Sequence, residues 1–496
     1  MRKNLQRILA SLALCAVLAG SLAVPASAAP FQDVPANHWA ADSIRRCVEK
    51  GFFNGQSETR FGLGQKMSRS AFAVVLCRFF DWETAAPAEQ TYPDVPVDIW
   101  YAGAVEAAYE HGAITDQRDV FRPNDPITRG ELAVMLVRAL GYGDLAGLAQ
   151  DLPVPFEDVT TNVGYITMAY DLGLVSGTTA ATFSPAGTAS REQVAVILMR
   201  LYDQLHGEGP EKIGIVSAES DMTGLDIAAI PAVRAFSMAM KTNLEPEAAA
   251  AVQAAARNSG AKAFLYMEAG TAALGSNPDQ MGKLIAETAV SGGYDGLLLD
   301  IPEITGRKRA DLTKLVKAVN KNLGSMPFYL VVESPTRAGR FYDGYDYEAL
   351  AGAADKLILR VSGIEDVTEA FVTAPVDPLE EVYYAVASLE ELVGAEKLAL
   401  MLEAEMDLWV KGSRSGLSGA GLAELLAAET TQAYDSDRYA CAYLMGADDK
   451  GKPITAWYLT QEDVEIRVRL ATSLGVKQIC VSDWDRATEA FLAGLN

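Results

Sequence analysis

Hydrophobic and polar positions along the chain follow two rhythms. Up to about residue 205, apolar residues recur at helical spacing in blocks, and the blocks repeat. Phe31-Gln32-Asp33-Val34, Tyr92-Pro93-Asp94-Val95 and Phe156-Glu157-Asp158-Val159 open successive units, 61 residues separating Asp33 from Asp94 and 64 separating Asp94 from Asp158. Recurrence at this period marks an internal repeat. In each unit a helical pattern ends at a glycine (Gly51, Gly112, Gly173), and a loop with Phe61, Phe121 or Phe183 follows. A second amphipathic helix starts at Ser68-Arg69, Thr128-Arg129 or Ser190-Arg191, where the hydroxyl residue is a good N-cap.

After His206-Gly207-Glu208-Gly209-Pro210 the rhythm changes. Short apolar runs alternate with helical stretches: Ile213–Val216, Val233–Met238, Ala263–Met267, Gly296–Leu299, Phe328–Val332, Lys356–Val361, Leu398–Leu402 and Gln478–Val481. Eight such runs, with helices such as 247–259, 280–290, 310–323, 380–392 and 460–474 between them, predict a (β/α)8 TIM barrel. The expected organisation is a segment 1–28, repeats at 29–90, 91–150 and 151–205, a linker 206–211, and the barrel at 212–496. The fold class is therefore multidomain, an all-α-rich three-repeat part followed by an α/β barrel. An open doubly wound sheet is the alternative for the second part. No Gly-x-Gly-x-x-Gly or P-loop follows a strand, so a nucleotide cofactor has no support. Barrel chemistry sits at the C-terminal strand ends, which directs attention to Glu268, Asp300, Glu303, Glu333, Arg360, Glu403, Glu405, Asp483 and Trp484.

Charge and composition narrow the partners. Against 42 Lys+Arg stand 65 Asp+Glu, a formal net charge of −23, which argues against nucleic-acid binding. Arg2, Lys3 and Arg7 precede an apolar run from Ile8 to Val24 that ends near Ala26-Ser27-Ala28, the pattern of a cleaved export signal rather than a transmembrane anchor. Cys47, Cys77, Cys441 and Cys480 are too few for a disulfide scaffold, and buried free thiols are expected. With three histidines and no zinc-ligand spacing, neither metal nor cofactor is expected.

The repeats resemble S-layer homology domains, whose signature joins an aromatic-x-Asp-Val opening to a Thr-Arg-Ala-Glu-like helix start. The resemblance implies a pseudo-threefold helical unit that binds secondary cell-wall polysaccharide, often through its pyruvate ketal, in the wall or S-layer of a bacterium. Arg69, Arg129 and Arg191 are then the anion ligands, with Asp33, Asp94 and Asp158 shaping each repeat. A carboxylate at a helix start meets the positive end of the dipole, and a guanidinium holds it with two charge-assisted bonds. Only the second repeat keeps Thr128-Arg129-Gly130-Glu131; Ala71 and Gln193 replace the glutamate elsewhere. Arg129 is thus expected to matter most. Trp39, Trp100 and the repeated phenylalanines are read as core fillers.

The stretch Tyr294-Asp295-Gly296-Leu297-Leu298-Leu299-Asp300 is similar to the fourth-strand signature of glycoside hydrolase family 18, in its bacterial cell-wall type. Ala235-Phe236-Ser237 and Ala456-Trp457-Tyr458 support the resemblance. It implies an acid that protonates the glycosidic oxygen while the substrate's acetamido group attacks. Here the pattern departs: Leu298 holds the first inner aspartate position, Asp300 the second, and Pro302 the place of the acid, with Glu303 one residue on. Ser362 stands for the acetamide-holding tyrosine and Ser482 for the floor tryptophan, which Trp484 can replace at a period of two. The expectation is a wall-anchored surface protein whose glycosidase-like barrel binds peptidoglycan or another aminosugar glycan with little or no catalysis, through Glu268, Glu333, Glu403 and Trp484. The alternative is an active hydrolase using Asp300 and Glu303.

Overall fold

The structure is a computed structural model and describes residues 31–496 apart from 116–119, 151, 153, 238, 276, 338–340, 362–374, 411–412 and 437–438. The expected export segment, 1–28, and Ser362 lie outside the described residues. Two compact units divide between Gly207 and Glu208.

The first unit holds α1 (Ala41–Glu49) and α2 (Arg69–Phe79) in the first repeat, then α3 (Ala102–Glu110), α4 (Arg129–Ala139) and the short α5 (Gly143–Ala149). The third repeat brings α6 (Val163–Asp171) and α7 (Arg191–Leu205). A repeat with two principal helices cannot bury its apolar faces alone, so each second helix packs on the first helix of the next repeat. Helix α2 lies on α3, α4 on α6, and α7 returns to α1. At the hub the backbone closes a ring: Met67 N–H donates to Ala189 O at 3.0 Å, Ala189 N–H to Ile127 O at 3.0 Å, and Ile127 N–H to Met67 O at 2.8 Å. Phe61, Phe121 and Phe183 are buried at equivalent places, as their recurrence implied. Trp39 and Trp100 are not core fillers: they are 62% and 70% exposed.

The second unit is a closed barrel of parallel strands: β1 (Glu211–Ile215), β2 (Ile227–Ile230), β5 (Lys262–Glu268), β6 (Gly296–Asp300), β7 (Phe328–Glu333), β8 (Lys356–Arg360), β9 (Leu398–Leu402) and β15 (Gln478–Val481). Alternate residues fill its interior, among them Phe264, Leu298, Tyr329, Val331, Ile358, Met401 and Cys480. Gly296 is required there, because a Cβ would come within 2.3 Å of the Phe264 ring. One expected strand is misplaced. The run expected at 233–238 does not supply a barrel strand: β3 (Val233–Phe236) pairs with β4 (Ala239–Thr242) as a hairpin, and the fully buried Ile227–Ile230 takes the second barrel position. The alternating burial of β3 suits a hairpin with one wet face.

Between β9 and β15 the chain inserts a five-stranded antiparallel sheet, in the order β11 (Ser413–Leu417), β10 (Met406–Val410), β14 (Pro453–Tyr458), β13 (Cys441–Ala447), β12 (Thr431–Ser436). Helix 419–427 covers one face through Leu422 and Leu425. Arg467, fully buried in helix 461–473, fastens surrounding backbone by donating to Asp377 O at 2.7 Å, Ala440 O at 2.8 Å and Tyr439 O at 3.2 Å. Cys47, Cys77, Cys441 and Cys480 are buried free thiols. Burial pushes the Cys47 and Cys77 thiols up to about 12.

Candidate functional site

In the first unit, the repeated aspartate and arginine converge on the phenylalanine loop from two directions. Asp33 accepts from the N–H groups of Phe61, Gly62 and Leu63 at 2.8, 2.8 and 3.1 Å. Asp94 accepts from Phe121 and Arg122, both at 2.7 Å, and Asp158 from Phe183 and Ser184 at 2.8 and 2.7 Å. Partial burial works against the Asp33 charge, but its three amide donors prevail and hold the carboxyl below its usual range. The Phe183 amide leads in doing the same for Asp158. All three aspartates thus shape loops within their own repeats.

Each arginine reaches into a different repeat. Arg69 Nε donates to Phe121 O at 2.8 Å, Arg129 Nε to Phe183 O at 2.8 Å, and Arg191 Nε to Phe61 O at 3.0 Å. The guanidiniums also lie over the rings of those phenylalanines, 4.5–4.9 Å from the centroids. Burial weakens the hold of all three arginines on their protons. Each of the three side chains thus sits at a different junction between repeats.

Their remaining donors differ. Arg69 is tied up in an ion pair with Glu131 at 2.8 Å, and Arg122 meets the same carboxylate. Glu131 also caps its own helix, accepting from Thr128 N at 2.9 Å. The glutamate that makes the second repeat's motif complete thus neutralises the first repeat's arginine. Arg129 and Arg191 bond to backbone carbonyls instead, Ser176 O at 2.5 Å and Asn54 O at 2.8 Å. Arg191 lines a cavity of about 200 Å³ together with Phe53, Asn54, Met67, Arg78 and the exposed Trp100. Sequence reasoning missed Arg78 and Trp100 because the groove is assembled from three repeats.

At the C-terminal end of the barrel, Asp300, Glu333 and Arg360 come together on successive strands because alternate residues face inward. Arg360 Nη1 lies 3.2 Å from Asp300 Oδ1 and 3.1 Å from Glu333 Oε1, while its Nη2 pairs with Asp300 Oδ2. Tyr266 donates its hydroxyl to Asp300 at 2.8 Å. Burial opposes the Arg360 charge, but Asp300 outweighs it and holds the guanidinium's proton more tightly than usual. Burial raises Glu333 despite Arg360.

Glu303 stands apart. Its backbone is left-handed, φ 59°, just beyond Pro302; the side chain is exposed, and its carboxylate accepts from Tyr342 at 3.2 Å rather than joining Asp300. Glu268 pairs with Arg234 at 2.6 Å. Glu403, raised by burial, accepts from Ser482, and its amide donates to Asp377 at 2.6 Å. Burial pushes Asp377 up to about 7. Trp484 is buried, meets Gly214, and donates its indole N–H to Asp221 O at 2.8 Å, so it does not present an open ring face at the mouth. Glu405 and Asp483 both pair with Arg486. Among the described residues, no group of three or more His, Cys, Asp and Glu is placed to hold a metal, and no helix is long and apolar enough to cross a membrane.

Residues 30–73, 92–133 and 155–195 match the S-layer homology domain family, so the chain carries three such repeats. An endoglucanase of Bacillus sp. (strain KSM-635) is 31% identical over 211 residues, covering 38% of this chain and 22% of that protein. The S-layer protein EA1 of Bacillus anthracis is 28% identical over 207 residues, covering 41% of this chain and 23% of that protein. The chain thus spans under a quarter of either relative's length. A chitinase from Chromobacterium violaceum aligns with a TM-score of 0.52 at 16% identity, over 57% of this chain and 98% of that one. The Bacillus cereus spore cortex-lytic enzyme SleL gives 0.50 at 13%, over 58% and 74%. These likenesses concern the fold alone.

Proposed function

We propose that this is an exported bacterial surface protein, held non-covalently to acidic secondary wall polysaccharide by its repeats and displaying a glycosidase-like barrel that binds aminosugar glycan with little or no hydrolysis. The observation that carries the anchoring half is the Arg191 cavity, where a guanidinium with donors to spare and an exposed indole face the same space. A carboxylate substituent such as a pyruvate ketal takes charge-assisted bonds from Arg191, while the sugar's apolar face lies on Trp100. Export and wall attachment agree with the S-layer protein among the relatives. Soluble polysaccharide stripped of its ketals by mild acid is expected to lose affinity for the whole mature chain. Equal affinity before and after that treatment removes the carboxylate from the reading.

For the barrel, support comes from Asp300. Its carboxylate is held by Arg360 and Tyr266, an arrangement that satisfies it internally and leaves it poorly disposed to steer an acetamido group. Glu303, the hydrolase reading's acid, is exposed and bonded to Tyr342. Glu403, half-buried beside Ser482, remains as an acid for a sugar hydroxyl. Release of reducing ends from purified peptidoglycan by the whole chain is expected to stay at background and to be unaltered in Asp300→Asn and Glu303→Gln. Turnover abolished by either substitution would establish the hydrolase.

A further inference from the structure

The inserted sheet ends in two edge strands, and the two differ. On β11, Arg414 pairs with Asp407 at 2.7 Å, and a Cβ on Gly416 would meet a guanidinium nitrogen of Arg486 at 3.8 Å. Charged side chains of this kind guard an edge against further pairing. On β12, Thr431–Ser436 carries no lysine, arginine or proline, and its four central residues are exposed. Among the described strands it pairs with β13 alone.

The face of the sheet turned away from helix 419–427 carries a row of rings. Tyr434, Tyr443 and Trp457 stand opposite one another on β12, β13 and β14. The alternate residues Ala442, Leu444, Ala456 and Tyr458 pack on the other face with Leu422. Tyr434 and Tyr443 have ring centroids 5.3 Å apart and 19° between planes; Tyr443 and Trp457 have 4.7 Å and 33°. These spacings match the roughly 4.8 Å between neighbouring strands, so the rings stand upright and stack along the sheet instead of lying flat on it. Tyr439 closes the inner end of the row, edge-on to Trp457 at 6.1 Å. At the outer end Tyr434 is 40% exposed and lies on the unguarded edge.

Backbone alternation fixes what this edge can accept. Ala447 N–H donates to Thr430 O at 3.1 Å, so in this register Gln432, Tyr434 and Ser436 exchange hydrogen bonds with β13, and Ala433 directs its N–H and C=O outward. A further antiparallel strand therefore bonds at Ala433 and meets Tyr434 at a non-hydrogen-bonded place, where Cα atoms approach to about 4.5 Å. Thr431–Ser436 itself fits this pattern. About a two-fold axis at Tyr434, that residue meets its own copy, Ala433 meets Asp435 and Gln432 meets Ser436, so no like charges fall opposite each other.

We infer that β12 is a self-association edge, at which two copies of the chain join their five-stranded inserted sheets and continue the ring row through the facing Tyr434 side chains. A single strand pair buries less than the roughly 1,200 Å² of a standard interface, so the dimer is weak and transient. The inference stands apart from the glycan binding proposed for either unit.

Sedimentation velocity of residues 29–496 over increasing concentration is the test. The sedimentation coefficient is expected to rise from the monomer's towards a dimer's in the micromolar to millimolar range. Ala433→Pro removes the outward N–H and leaves the β13 ladder intact, while Tyr434→Lys sets two ammonium groups face to face. Each is expected to weaken association by about tenfold or more, with the far-UV circular dichroism unchanged. Tyr434→Cys examines the register. The native thiols at Cys47, Cys77, Cys441 and Cys480 are buried, and Cα atoms about 4.5 Å apart lie within disulfide reach. Mild oxidation is therefore expected to yield a covalent dimer about tenfold faster than it does for Arg414→Cys on the opposite edge. A chain that stays monomeric throughout overturns the inference. So does association that survives both Ala433→Pro and Tyr434→Lys, or cross-linking no faster at position 434 than at 414.

Discussion

Removing the Arg360 guanidinium would leave Asp300 and Glu333, both at least 95% buried, facing each other without a cation. Breaking a buried pair from one side costs about 3–5 kcal/mol, so Arg360→Met is expected to lower the urea midpoint of the barrel by that equivalent. The double substitution Arg360→Met with Asp300→Leu should recover part of the loss, because it removes one of the stranded charges. A midpoint unmoved by Arg360→Met would show that the ion pair does not hold the mouth. The same reasoning at Arg129 gives a different expectation. Its Nε and Nη2 serve backbone carbonyls of the third repeat, so Arg129→Ala should destabilise the first unit as well as weaken glycan binding. Thermal unfolding of the variant separates the two effects.

Asp33 and Asp158 on one side and Asp377 on the other are expected to answer pH with opposite signs. Asp33 and Asp158 have folded-state affinities for protons below their ordinary ones, so the stability they confer is present above the ordinary carboxylate range and lost as pH falls through their folded values. Asp377 is the reverse. Its contribution is fully present below the ordinary 3.8 and lost as pH rises to about 7. Urea unfolding at pH 4.5 and 7.5 should show the barrel losing stability over that interval, and Asp377→Asn should flatten the slope. An unchanged slope in the variant removes Asp377 as its source. The elements themselves were legible in the sequence to unequal degrees. Leu398–Leu402 is readable to the residue because a strand buried on both faces is an unbroken apolar run. The sheet spanning 406–458 was not, since its strands bury only one face and Ser413–Leu417 and Thr431–Ser436 are largely exposed. Ile227–Ile230 was passed over for the neighbouring 233–238, whose β-branched and aromatic residues belong to a hairpin.

At the scale of the whole chain, the repeats declared the kind of anchor, while the groove had to be seen. Arg191, Arg78 and Trp100 come from three repeats and lie far apart in sequence, and nothing in the Thr128–Glu131 motif shows that its glutamate engages Arg69. The sequence therefore favoured Arg129, whereas the geometry shifts the expected loss to Arg191 and Trp100. The most direct test is sedimentation of residues 29–496 with cell-wall sacculi that retain their secondary polysaccharide and with sacculi from which it has been extracted. The protein should pellet with the first and stay in solution with the second, and Arg191→Ala combined with Trp100→Ala should abolish pelleting while the chain stays folded. Equal pelleting with both preparations, or pelleting undiminished in the double variant, would contradict the account.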